Sequence, residues 1–267
     1  MLRDITIGQF YPVDSKIHRI DPRVKIVGVF VYLISLFVFN TLVGYAVVTL
    51  FLATVIFMSK VPVTYIAKGL KTIFFLLIFT ALFHLFGTPG DPLWRWRFIR
   101  ITYPGIHRAV FMSMRLIYLI FGTSMLTYTT TPNQLTDGLE SLCKPLTKIK
   151  VPVHDFAMMM SLALRFIPIL LEEANRIMQA QSARGADFEK GSLWKRMRAI
   201  VSILVPLLVS AIHRAYDLAM AMESRCYHGG EHRTRMKPLD YRVSDYWIYV
   251  LLAVYLGLVF AITHFFG

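Results

Sequence analysis

The chain has 267 residues, is 56% hydrophobic and rich in aromatics, and carries 29 Lys and Arg against 16 Asp and Glu, a formal charge of +13. A soluble domain holds about 45–50% apolar residues, and one of this length has no core large enough for the excess, so a membrane protein is expected instead. In that setting the basic surplus points to cytoplasmic loops near anionic lipid or to an acidic partner rather than to nucleic acid. Two cysteines without a CxxC, Cys143 and Cys226, argue against a disulfide framework or a thiolate metal site.

The opening stretch "MLRDITIGQFYPVDSKIHRIDPRVK" is polar and extended in character, and it lacks the short apolar region and small-residue cleavage site of a signal peptide. Ile26 to Met58 is apolar almost throughout, broken by "NTLVGY" at Asn40 to Tyr45. That length suits a tight hairpin of two spans, each a little under about 20 residues. "KVPVTYIAKGLK", Lys60 to Lys71, is a basic amphipathic connector, and Ile73 to Phe86 continues as a third span. Gly87 to Gly105 is rich in Pro and Gly and alternates aromatics with arginine. It reads as an interfacial loop or short hairpin, with Trp94 and Trp96 at headgroup level. Ala109 to Tyr128 is a fourth span and Val243 to Phe266 the last.

Between these two, Thr131 to Arg242 is helical by periodicity but studded with charge. It holds sixteen of the Lys and Arg and eleven of the acids. Thr131 is a good N-cap with Pro132 at the first helical position. Two long helices follow, one from near Pro152 to a C-cap at Gly185, one from an N-cap at Ser192 to the Gly229-Gly230 stop. Taken whole, both look too polar to span lipid unaided. Each has an internal proline, Pro168 or Pro206, which frees a carbonyl and bends the rod. Ala211, Ala215 and Ala219 recur every four residues in the second, so the two helices are expected to cross there.

Both helices end on an arginine between small residues, Ala183-Arg184-Gly185 and, forty-one residues later, Ser224-Arg225-Cys226. Favourable pairing with the C-terminal helix dipole accounts for either arginine alone. A small–Arg–small tip also presents its guanidinium without flanking bulk, which suits an acidic groove on a partner. Two such tips suit a partner with two similar grooves.

Several other signals carry less. "HGGEH", His228 to His232, has the letters of a zinc-peptidase pattern, but its adjacent glycines favour a turn over the required helix. "GADFEKGS" has no preceding strand and no Walker order, so any ATP would be bound by another chain. His84, His213 and His264 are isolated, and Arg115 in the fourth span would snorkel or pair inside the bundle. Met158, Met159, Met160, Met178, Met197, Met220 and Met222 are either core filling or a deformable docking surface.

The layout and the two tips together resemble the transmembrane T component of energy-coupling factor transporters, a class of ABC importer for vitamins and trace metals. Ala183-Arg184-Gly185 matches the family's Ala-Arg-Gly motif literally, and Ser224-Arg225-Cys226 matches it in pattern. The resemblance spans essentially the whole chain. It implies coupling helices seated in grooves of two cytoplasmic ABC ATPases and joined to a small substrate-binding membrane S subunit. Ala183, Arg184, Gly185, Ser224, Arg225 and Cys226 would be the ATPase-coupling residues. The chain would hold no cofactor and no metal, with ATP on the partners, and would not be an enzyme.

The expected fold is therefore all-α, a polytopic membrane protein with about five transmembrane helices and a cytoplasmic coupling domain of long crossing helices. Residues 1–25 would be a cytoplasmic N-terminal segment, 26–130 transmembrane helices one to four, 131–242 the cytoplasmic coupling helices and 243–267 the last transmembrane helix. Basic residues set the orientation in the cell membrane: Arg3, Lys16, Arg19, Arg23 and Lys25, then Lys60, Lys68 and Lys71, then the charged helices, all in the cytoplasm. Arg95, Arg97 and Arg100 would lie outside, against that trend. Two other readings are a conventional ABC permease subunit, which couples through a short cytosolic helix, and a membrane-embedded metal-dependent hydrolase.

Overall fold

The computed structural model describes residues 10–38, 41–89, 92–96, 99–186, 188, 192–229 and 238–266. Among the described residues, eight α-helices run in chain order: α1 Pro22–Val38, α2 Leu42–Ser59, α3 Val63–Gly87, α4 Tyr103–Thr129, α5 Pro132–Cys143, α6 Val153–Ala183, α7 Leu193–Glu223 and α8 Val243–Phe266. A short 3₁₀ turn, Lys144–Ile149, follows α5. Between α3 and α4 the 87–105 stretch forms an antiparallel hairpin, β1 Pro92–Trp96 with β2 Ile99–Thr102. The side chains of residues 92–101, Trp94 and Trp96 included, lie outside what the structure describes. The helices divide into two compact units, Gly8–Leu142 with Leu239–Gly267, and Cys143–Pro238.

Among the described residues, five helices are long and apolar enough to cross a membrane: α2, α4, α6, α7 and α8. Five matches the expected number, but the members differ. The first expected span, α1, has 17 residues, about 25 Å at 1.5 Å per residue against a hydrocarbon core of roughly 30 Å. The third bends by 61° between Val63–Lys71 and Ile73–Gly87, which separates the basic connector from the apolar arm where the sequence changes character. The polarity reading of α6 and α7 is corrected. Each contains an 18-residue window with no more than two charged residues: α6 carries only Asp155 and Arg165 before Glu172, and in α7 Ala199 to Ile212 is uncharged.

In the first unit, Tyr32 and Leu36 of α1, Tyr45, Val48 and Leu52 of α2, and Tyr255 and Val259 of α8 form the buried core. Tyrosine in an apolar bundle must find partners within the protein, since lipid supplies none. Here the Tyr32 hydroxyl donates to the Tyr118 carbonyl at 2.9 Å, Ser35 Oγ and Tyr255 share a bond of 2.7 Å, and Thr49 and Tyr118 one of 2.6 Å. Arg115, expected to snorkel or pair, pairs inside the bundle: its Nε donates to Tyr45 Oη and its guanidinium lies over the Phe37 ring.

The starts of α1 and α8 are tied by one carboxylate. Asp245, 1% exposed, accepts from the backbone N–H of Asp21 at 3.3 Å and of Arg242 at 2.8 Å. Arg23 lies over the Tyr241 ring. Lys25 Nζ donates to the carbonyls of His18 and Thr129, so the end of α4 joins the same knot. The segment before α1 is held by His18. Its Nε2–H donates to the Tyr11 carbonyl and its Nδ1 accepts from Ser15 Oγ. Burial pushes its pKa below the usual value, so the neutral ring fits this bonding.

Candidate functional site

The second unit positions the two arginine tips. α6 and α7 pack against each other and run unbroken through Pro168 and Pro206. The predicted alanine crossing is corrected: Ala215 and Ala219 are exposed. The crossing is marked instead by an ion pair, Arg214 to Glu173, with Ala174 beside it buried. Neither residue signalled this from sequence alone, apart from one clue: 173 and 214 are separated by the same forty-one positions as 184 and 225.

That spacing sets the geometry. Eleven residues separate Glu173 from Arg184, and eleven separate Arg214 from Arg225. At about 1.5 Å per residue each tip lies roughly 16 Å along its helix from the crossing pair. The two tips are therefore equally far, along their own helices, from the ion pair.

The tips themselves share their closing bonds. At the end of α6, the Gly185 N–H donates to the Ser182 carbonyl at 3.0 Å and the Ala186 N–H to the Gln181 carbonyl at 3.0 Å. This is a Schellman closure, with Gly185 at φ +90° supplying the left-handed residue. At the end of α7, the Cys226 N–H donates to the Glu223 carbonyl at 2.9 Å and the Tyr227 N–H to the Met222 carbonyl at 3.0 Å. Each partner is the first tip's partner moved by forty-one. Cys226, at φ +56°, takes the role of Gly185. The looser sequence match of the second tip therefore conceals an equal backbone closure.

Both arginines occupy the last position before the left-handed residue and are exposed, as are Ala183, Gly185, Ser224 and Cys226. Among the described residues neither guanidinium has a hydrogen bond or ion pair. A helix C-terminus carries partial negative charge, so each tip offers a fixed cation on a rigid rod. Of the methionines, Met159, Met160, Met197 and Met220 are exposed rather than core.

His228 lies beyond the end of α7, its Nδ1–H donating to the Cys226 carbonyl. Gly230, Glu231 and His232 of "HGGEH", and Asp187 and 189–191 of "GADFEKGS", lie outside the described residues. Among those described, no three His, Cys, Asp or Glu side chains gather as metal ligands would.

Residues 14–236 match the family model described as CbiQ, cobalt transport protein. The energy-coupling factor transporter transmembrane protein EcfT of Clostridium kluyveri is 52% identical over 92% of both chains. Its counterpart in Ruminiclostridium cellulolyticum is 48% identical over 96% of both, and that of Bacillus subtilis 43% identical over 97% of this chain and 98% of its own. With the helical layout, the paired tips and near full-length similarity in agreement, the chain belongs to the CbiQ family and is a multi-pass transmembrane component of the energy-coupling factor transporter type.

Proposed function

We propose that this chain is the coupling subunit of an energy-coupling factor importer. It transmits the ATP-driven motion of two cytoplasmic ATPases to a small membrane subunit that binds a vitamin or other micronutrient. One observation carries the reading: two helix ends closed by the same pair of bonds, each with an exposed arginine that has no partner among the described residues, equally far along their helices from the Arg214–Glu173 pair. Two such tips fit two similar acidic grooves, as a pair of related ATPases would present. When ATP closes the ATPases, the grooves move together, Arg184 and Arg225 follow, and the Arg214–Glu173 crossing turns that motion into a change of helix angle. The uncovered apolar faces of α6 and α7 and their exposed methionines supply a surface for the substrate-binding subunit. ATP stays on the partners, and this chain performs no catalytic step. The N-terminus and both tips lie on the cytoplasmic side.

The test is substitution of the tips in the assembled transporter. Truncating one partner of a buried charged contact costs about 2–5 kcal/mol, so Arg184→Ala or Arg225→Ala should weaken ATPase association roughly 30-fold or more. Uptake should fall with it, while the isolated chain keeps its thermal unfolding midpoint. Full uptake by the Arg184→Ala, Arg225→Ala double variant would end this reading.

A further inference from the structure

A second concentration of exposed charge lies in the first unit. The turn at residues 14–19 and the C-terminal end of α2 enclose an open cleft of about 370 Å³. Lys16, Arg19 and Lys60 line it with Asp14, and Phe57 and Met58 complete it. Arg19 and Asp14 satisfy each other through a two-bond ion pair. Lys16 and Lys60 are exposed and have no side-chain partner among the described residues. The lining therefore holds three cations against one carboxylate. The Asp14 carboxyl is kept below its usual range first by the hydrogen bond from Arg19, with the Lys60 charge lowering it further.

The backbone of Lys60 adds to this. It caps α2 in the left-handed conformation, φ 57°, with its N–H on the Phe57 carbonyl. Glycine fits that conformation with less strain. A lysine there places an ammonium at the C-terminal end of a span instead.

What separates this cleft from a site for a soluble anion is the surface leading to it. Val43, Leu50 and Phe57 recur every seven residues along α2, on one face. They are 44%, 71% and 87% exposed. This apolar stripe runs the length of the span and ends at the cations. A free phosphate would use the lysines and leave the stripe unexplained. A phospholipid uses both, its acyl chain on the stripe and its phosphate beside the ammonium groups.

We propose that the cleft between the 14–19 turn and the end of α2 binds the headgroup of an anionic phospholipid, with Lys16 and Lys60 as its phosphate contacts. The site would hold one lipid against α2 and pin the segment before α1 to the membrane surface. It does not depend on the coupling role of the tips.

The test uses the full chain in detergent, titrated with phosphatidylglycerol or phosphatidylcholine and read by native mass spectrometry. Wild type should retain one phosphatidylglycerol in preference to phosphatidylcholine. Lys16→Gln with Lys60→Gln should weaken that retention about tenfold or more, since each surface cation near an anionic lipid contributes on the order of 1 kcal/mol, or about fivefold. Lys16→Arg with Lys60→Arg should preserve it, and so should removal of two charges elsewhere, Lys144→Gln with Lys148→Gln. Unchanged retention in the Gln pair would overturn the proposal. So would an equal loss in the Lys144, Lys148 control, which would mean diffuse attraction. Displacement of the lipid by inorganic phosphate at equal concentration would make this a soluble-anion site and would overturn it too. Both lysines are exposed, so the variants should unfold at the wild-type midpoint.

Discussion

Gly185 and Cys226 sit at matching points of two matching closures, yet one conformation is natural to its residue and the other is not. A left-handed backbone costs an L-residue roughly 1–2 kcal/mol that glycine avoids. Gly185→Ala should therefore lower the thermal unfolding midpoint, by an amount corresponding to about 1 kcal/mol. Cys226→Gly should raise it or leave it unchanged, and should keep the orientation of Arg225. A midpoint lowered by Cys226→Gly would mean that the cysteine side chain makes a contact worth more than its backbone strain. The glycine stop at 185 was legible from sequence, because a helical pattern ending on glycine has one common closure. The stop at Cys226 was not, because cysteine carries no such signal. Only the backbone angle identifies it.

At the scale of elements, helix approach is decided by individual close contacts. A Cβ added at Gly122 of α4 would lie 2.2 Å from Cε1 of Tyr32 on α1. That ring is buried and held by its hydroxyl bond to the Tyr118 carbonyl, so it has little room to yield. Gly122→Ala should destabilise the α1–α4 packing by about 1–3 kcal/mol, as overpacked cores do. Thermal unfolding of the detergent-solubilised chain measures it, and Tyr32→Leu in the same chain should restore much of the loss. An unchanged midpoint in the single variant would show that α1 and α4 pack less closely than the structure has them. The same scale explains the mistaken alanine crossing. Small residues at four-residue spacing permit a close approach but do not compel one. An ion pair between α6 and α7 took the crossing to Arg214 and Glu173, and Ala215 and Ala219 turned outward.

For the whole molecule, the proposed orientation rests on where the charges collect, and Cys226 offers a direct probe of it. This thiol is exposed and free, whereas Cys143 is partly buried. With Cys143→Ser in place, a membrane-impermeant maleimide should label Cys226 in inside-out vesicles and leave it unlabelled in intact cells. Bound ATPases should protect it. Labelling from the outer face would reverse the orientation, and with it the role proposed for the tips.

Some of this protein is written locally. Apolar stretches of membrane length, the stop at Gly185, the basic segments and the two tips forty-one residues apart are all properties of short windows, and side-chain chemistry with helical periodicity is enough to read them. What required the tertiary structure is whatever depends on two distant segments meeting. Asp245 joining the starts of two helices, the Arg214–Glu173 pair joining α6 to α7, and the cleft where a polar turn meets the end of α2 are of this kind. No window holds both partners, and which partner is met depends on how the packed helices rotate about their axes.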